Sequence, residues 1–177
     1  MAIIAMLLLP VLSCGQSGNQ ARTPRTIQSN HAQRAFRPSR LFTLKDAEEI
    51  LGEKAYRSDS AWNNKAGVST YSCAYTANAT DEKSGRTVAV YCLFERYAKP
   101  AGARNRYSFI KKANEENGIQ ELHDLGDEAY FHTDNNNFYF VMVRKGDRVF
   151  NLKVNKITSR TSLPAFNSVA SKITAGL

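Results

Sequence analysis

Residues 69–96, STYSCAYTANATDEKSGRTVAVYCLFER, decide how the rest of the chain is organised. Tyr71-Ser72-Cys73-Ala74-Tyr75 and Val88-Ala89-Val90-Tyr91-Cys92-Leu93-Phe94 are rich in aromatic and β-branched residues. Between them Asn78, Thr80, Asp81, Lys83, Ser84 and Gly85 supply turn chemistry. Folding this hairpin about the midpoint of Glu82 and Lys83 sets Cys73 opposite Cys92, Tyr71 opposite Phe94, Tyr75 opposite Val90 and Ala77 opposite Val88. Side chains alternate along a strand, so these pairs share one face. The other face carries Thr70, Ser72, Ala74, Thr76, Ala89, Tyr91, Leu93 and Glu95, a more mixed set. Opposed strand cysteines suit a Cys73–Cys92 disulfide, which would stabilise the fold by roughly 3 kcal/mol in the chain-entropy model. The alternative is a pair of buried free thiols.

Working outward, residues 41–52 open the domain with a short helix. Thr43 is its cap, acidic residues follow in the first turns and Gly52 ends it, while Leu44, Ala47, Ile50 and Leu51 share a face. Residues 55–64 follow, with Tyr56 and Trp62 as expected core anchors and a turn at Asn63-Asn64. Residues 100–117 read as a second helix, with proline near the start and Gly118 past the end. Ala103, Tyr107, Ile110 and Asn114 line one side, with Phe109 beside them. Arg104, Arg106, Lys111 and Lys112 fall on the other, a solvated face or a binding one. A strand around Leu125-Gly126-Asp127-Glu128-Ala129-Tyr130-Phe131 and a loop at Asp134-Asn135-Asn136-Asn137 come next. A second hairpin then turns at Gly146-Asp147. Pairing Lys145 with Arg148 sets Val143 against Phe150, Val141 against Leu152 and Tyr139 against Val154. A slip of one residue would spoil that apolar stripe. Residues 163–173 close the chain as a helix capped by Ser162. The expected fold is α+β, a twisted antiparallel sheet of five or six strands with helices packed mainly on one face.

The chain has 177 residues and a formal charge of +8, but the charge is unevenly placed. Residues 16–40 contain Arg22, Arg25, Arg34, Arg37 and Arg40, few apolar residues and no acid, the composition of a disordered tether. From Asp46 onward there are 18 basic and 16 acidic residues, so the domain lacks the basic surface expected of a nucleic-acid binder. Residues 2–12 are apolar apart from Pro10, too short to span a bilayer and of signal-peptide length. Val11-Leu12-Ser13-Cys14 resembles the lipobox of bacterial lipoproteins. That resemblance implies a signal segment at 1–13 and lipid on Cys14; composition then gives a basic tether at 14–40, and length gives one domain at 41–177. Leu12 is bulkier than the residue usual at its position, and an ordinary secretory signal cut near Ser13 or Ser17 is the rival reading. Acylation of Cys14 would leave two of three cysteines to pair in an oxidising compartment. Gly15 lacks the aspartate that holds some lipoproteins at the inner membrane, so the resemblance favours the outer membrane.

The order Asp46 to Gly52, Cys73 to Tyr75, and Leu125 to Tyr130 also resembles small domains of bacterial lipoproteins, and more loosely the extracellular sensor domains of mycobacterial serine/threonine kinases. That likeness implies architecture and ligand or partner binding; it maps no catalytic residue onto this chain. No G-x-S-x-G, H-E-x-x-H or phosphate loop is present in the sequence, and no cofactor is expected. One dense cluster has metal-ligand types: His123, Asp124, Asp127, Glu128, His132 and Asp134. His123, Asp127 and His132 are its weak candidates for a metal, with solvated turns the competing reading; Glu95 with Glu128 is a conceivable carboxylate pair. The preferred expectation is a non-enzymatic, lipid-anchored envelope protein that binds a protein, polymer or small ligand. Its candidate contacts are Tyr91, Leu93, Asn135, Asn136 and Asn137. The alternatives are a small envelope hydrolase or metal-dependent enzyme, and a proteinaceous hydrolase inhibitor.

Overall fold

Seven strands and three α-helices run through the described residues, 36–83 and 85–177 of a computed structural model. In chain order these are helix α1 (Leu44–Leu51), strands β1 (Ala55–Lys65), β2 (Val68–Thr80) and β3 (Thr87–Tyr97), and helix α2 (Pro100–Asn114). Strands β4 (Ile119–Leu122), β5 (Glu128–Thr133), β6 (Tyr139–Lys145) and β7 (Arg148–Val154) follow, then helix α3 (Leu163–Gly176). The strands form one antiparallel sheet in the order β1-β2-β3-β7-β6-β5-β4. Two meanders, β1–β3 and β4–β7, are thus joined side by side. α2 carries the chain from β3 to the far edge, and β7 comes back to pair with β3.

The central registers follow the apolar stripes. Cys73 faces Cys92, Tyr71 faces Phe94 and Tyr75 faces Val90. In the second hairpin Lys145 faces Arg148, Val143 faces Phe150, Val141 faces Leu152 and Tyr139 faces Val154. Ala77 does not stay level with Val88, because the register shifts between Thr76 and Thr80. β2 carries extra residues there, and the amide of Asn78 donates instead to the carbonyl of Lys54 at 2.9 Å.

The strand count exceeds the expected five or six for two reasons. β4 is four residues long and too short to show alternation. Residues 55–65 form a strand whose side chains are exposed after Ala55, because it is the sheet's edge strand and only its first residue joins the core. Tyr56 and Trp62 are therefore not core anchors: each is 52% exposed, and Trp62 packs on Tyr71 across the strand pair with ring centroids 5.9 Å apart. The turn also moves, from Asn63-Asn64 to Ala66-Gly67, both at positive φ as a tight hairpin requires.

α1 and α3 cover the face that carries Tyr75, Cys92, Phe94, Val141, Phe150 and Leu152, and bury it with Phe42, Ile50 and Phe166. α2 lies on the opposite face, where Ala103 and Tyr107 pack with Tyr130, Met142 and Val149. Two of three helices share a face, and the third creates a separate core.

α1 begins with a reciprocal cap, Thr43 Oγ1 accepting from the Asp46 amide and Asp46 accepting from the Thr43 amide. Asp46 also receives Lys172 Nζ from α3 at 2.6 and 2.7 Å, which ties the two helices together. Burial pushes the Asp46 carboxyl up, but Lys172 and Thr43 together hold it below its ordinary value.

The compact unit runs from Phe36 to Leu177, with Pro38 buried in a short 3₁₀ turn. The expected signal segment, Cys14 and the tether up to residue 35 lie outside the described residues. Among the described residues no helix is long and apolar enough to cross a membrane.

Gly52 ends α1 at φ 70°, and a Cβ there would lie 2.1 Å from the backbone oxygen of Arg160. Gly52→Ala should therefore cost about 2 kcal/mol or more. Urea unfolding of the variant should show a lowered midpoint with an unchanged slope.

Candidate functional site

Leu125-Gly126-Asp127-Glu128-Ala129-Tyr130 folds as a clamp around one guanidinium. Gly126 adopts φ 69°, and a side chain there would meet the Arg144 carbonyl oxygen at 2.6 Å. The Asp127 amide donates to that carbonyl at 2.8 Å. The Asp127 carboxylate accepts from the Gly146 amide at 2.8 Å and from Arg144 Nη1 at 2.7 Å. Glu128 accepts from Arg144 Nε. Arg144 is buried, so its charge is matched by two carboxylates with a hydrogen bond to each. The Gly146 amide, foremost, and Arg144 hold the Asp127 carboxyl below its ordinary range despite some burial. Alternation then sends Ala129 into the core under α3 and Tyr130 into the core under α2.

This arrangement divides the histidine–carboxylate cluster. His123 and Asp124 line a cleft of about 420 Å³ beside α3, over Leu122, Leu125 and Phe131. His132 opens onto the other side of the sheet, edge-on to Phe138 with ring centroids 4.9 Å apart. Asp127 and Glu128 are bound to Arg144. Asp134 holds its own loop, accepting from the amides of Asn136 and Asn137 at 3.1 and 2.7 Å and from Asn137 Nδ2 at 2.6 Å. Among the described residues no three His, Cys, Asp or Glu side chains gather closely enough to hold a metal ion. Glu95, the other carboxylate considered for catalysis, accepts from Arg106 Nε at 3.0 Å. It also helps push the Tyr97 hydroxyl up to about 12, behind the larger effect of burial. Glu95 and Glu128 therefore each serve a different arginine.

The expected Cys73–Cys92 disulfide is not formed in this structure. Both residues are buried free thiols. They are opposed in register, but register alone does not bring sulfurs to bonding geometry. Burial pushes the Cys73 thiol up to about 11 and the Cys92 thiol well above its ordinary value, so neither is poised as a nucleophile.

None of the candidate contact residues lines the second cleft, which lies beside α2; two of them pair with strand residues that do. Tyr91 is 44% exposed and stands opposite Lys153, while Leu93 stands opposite Asn151. Lys153 and Asn151 line a cleft of about 390 Å³ together with Arg106, Ile110, Asn114, His132, Phe138, Phe140 and Met142. Asn135, Asn136 and Asn137 form the loop that leads into Phe138. Asn135 adopts φ 63° there, and Lys156 Nζ reaches Asn137 Oδ1 at 3.2 Å. Lys153 Nζ lies 5.7 Å from the centre of the Phe138 ring.

Sequence reasoning missed Arg106, Phe138, Phe140, Asn151 and Lys153 as a group. A usable signal lay in β6: Tyr139, Val141 and Val143 form one apolar row, and Phe140 and Met142 form another on the reverse side. A strand apolar on both sides is covered on both, which requires α2 to cross the second face and create a flank there.

No protein-family model matches the sequence, and no curated protein matches it.

Hydrogen bonds from the Asn137 side chain and from the Asn137, Asn136 and Phe138 amides hold the Asp134 carboxyl down to about 2. A depressed pKa contributes order that is complete above the unfolded value, about 3.9. That contribution is lost as pH falls through about 2. Carboxyl-detected NMR titration should place the Asp134 midpoint near 2, with the Asn136 and Asn137 amides moving in the same step.

Proposed function

We propose that the chain is a non-enzymatic binding protein of a bacterial cell envelope. It is held to the membrane by lipid on Cys14 and uses the cleft beside α2 to take a small ligand. The observation that carries this reading is the contrast between the polar groups in the fold. The carboxylates that catalysis would need are committed to Arg144 and Arg106, whereas the cleft beside α2 combines aromatic walls with Lys153 and Asn151, whose side chains make no side-chain hydrogen bond or ion pair among the described residues. A concave, partly apolar site with a few convergent polar groups is the usual form of a small-molecule site. The lipobox resemblance supports the envelope location, and the absence of aspartate after Cys14 favours an outer membrane where the cell has one. Several acyl chains anchor firmly, while a single chain binds only marginally.

Export would also place Cys73 and Cys92 in an oxidising compartment. A disulfide oxidant there would take two electrons from the opposed thiols, with release of two protons as the S–S bond forms. Such a bond would fasten β2 to β3 at the centre of the sheet.

Three measurements test this reading. Cys14→Ser should move the protein from the membrane fraction to the soluble fraction; continued membrane association would refute the lipid anchor. Protein taken from the envelope should be lighter by two hydrogens in intact mass, with Cys73 and Cys92 resistant to alkylation even after denaturation. Alkylation of both thiols in such a sample would remove the disulfide. Turnover of an envelope substrate that disappears in His123→Ala or Glu128→Gln would replace the binding reading with an enzymatic one.

A further inference from the structure

We infer that the cleft beside α2 takes a small molecule with one anionic group, a carboxylate or a phosphate, on a flat apolar body. This inference rests on the binding reading above and names the ligand class. It follows from which donors the fold leaves over. Arg106 commits its Nε to Glu95 at 3.0 Å, while its two terminal nitrogens have no protein acceptor among the described residues. Lys153 has no carboxylate within ion-pair distance among the described residues, and its Nζ faces the Phe138 ring. The Asn151 amide makes no side-chain hydrogen bond among the described residues. These donors reach the same cleft from α2 and β7, and no aspartate or glutamate lines it.

A cleft with a surplus of donors and positive charge favours an acceptor that is itself charged, since such hydrogen bonds are about twice as strong as neutral ones. The other walls are Phe138, Phe140 and Met142. Aromatic faces and a thioether suit a planar apolar body, and the volume of about 390 Å³ falls in the range of small-ligand sites. The cleft beside α3 has the opposite character. Glu121 and Asp124 stand at its rim with His123, and Glu121 already receives Lys111. An anion would meet like charge there.

The test uses the full chain as Cys14→Ser, with four probes that share one ring system: naphthoate, naphthyl phosphate, naphthalenemethanol and naphthylmethylamine. Amide NMR should show both anions shifting Ile110, His132 and Asn151, with naphthalenemethanol binding about tenfold more weakly. The ratio of the two anions tells which head group the site prefers. Lys153→Glu, at an exposed position, should weaken the anions by about tenfold and leave naphthalenemethanol unchanged. Equal binding of the neutral alcohol, or shifts centred on Leu163 and Asn167 beside α3, would overturn the anion site and leave the binding reading standing. Silence from all four probes at both clefts would overturn both.

Discussion

The antiparallel pairing of β3 with β7 is the contact on which the rest of the sheet depends. It sets Val90 against Val154, Cys92 against Leu152 and Phe94 against Phe150. All six side chains are buried, and the Phe94 and Phe150 rings lie 5.9 Å apart. Each meander has its own local hairpins, but neither can bury its apolar row alone. The helices add cover only after that row is continuous: α1 lies over one meander and α3 over the other, and they meet along their shared edge. The pairing joins residues far apart in the chain, so loop closure precedes most of the stabilisation it brings.

Charge is placed to support that arrangement. Asp46 links α1 to α3 through Lys172, Glu95 links β3 to α2 through Arg106, and Asp127 and Glu128 hold Arg144 where β5 meets β6. In each pair one partner is buried and the other reaches solvent, so the pair adds modest net stability, but removing the exposed partner strands a buried charge. The acidic residues that stand out in the sequence as reactive groups are thus mostly structural ones, and the less conspicuous Lys153 and Asn151 are the groups left facing solvent in a cleft.

How far the sequence could be read follows from the same physics. Cys73–Cys92 and Val143–Phe150 were legible because one buried row fixes each register, and a slip would expose it. Thr43, Gly52 and Ser162 marked helix ends because capping is a local requirement, whereas α2 stops at Asn114 and Gly118 ends only the 3₁₀ turn Glu115–Asn117 that follows it. Trp62 and Tyr56 misled because residue type says nothing about whether a strand lies at the edge of its sheet. β4 was too short to alternate, and the sides of α2 could not be assigned without knowing that it crosses the reverse face. The cleft itself was not legible: Tyr91 and Leu93 only pair with Lys153 and Asn151, which line it, and the lining comes from α2, β5, β6, β7 and the loop before β6, which only the fold brings together.

Arg148 has a consequence of a different kind. Its guanidinium lies over the Phe36 ring, 5.0 Å from the centre, and donates to the carbonyl of Leu177. Phe36 and Leu177 are the two ends of the compact unit, so both ends meet at one side chain. A short linker could join them and new termini be opened in an exposed hairpin turn such as Ala66-Gly67, giving a circular permutant with the sheet order intact.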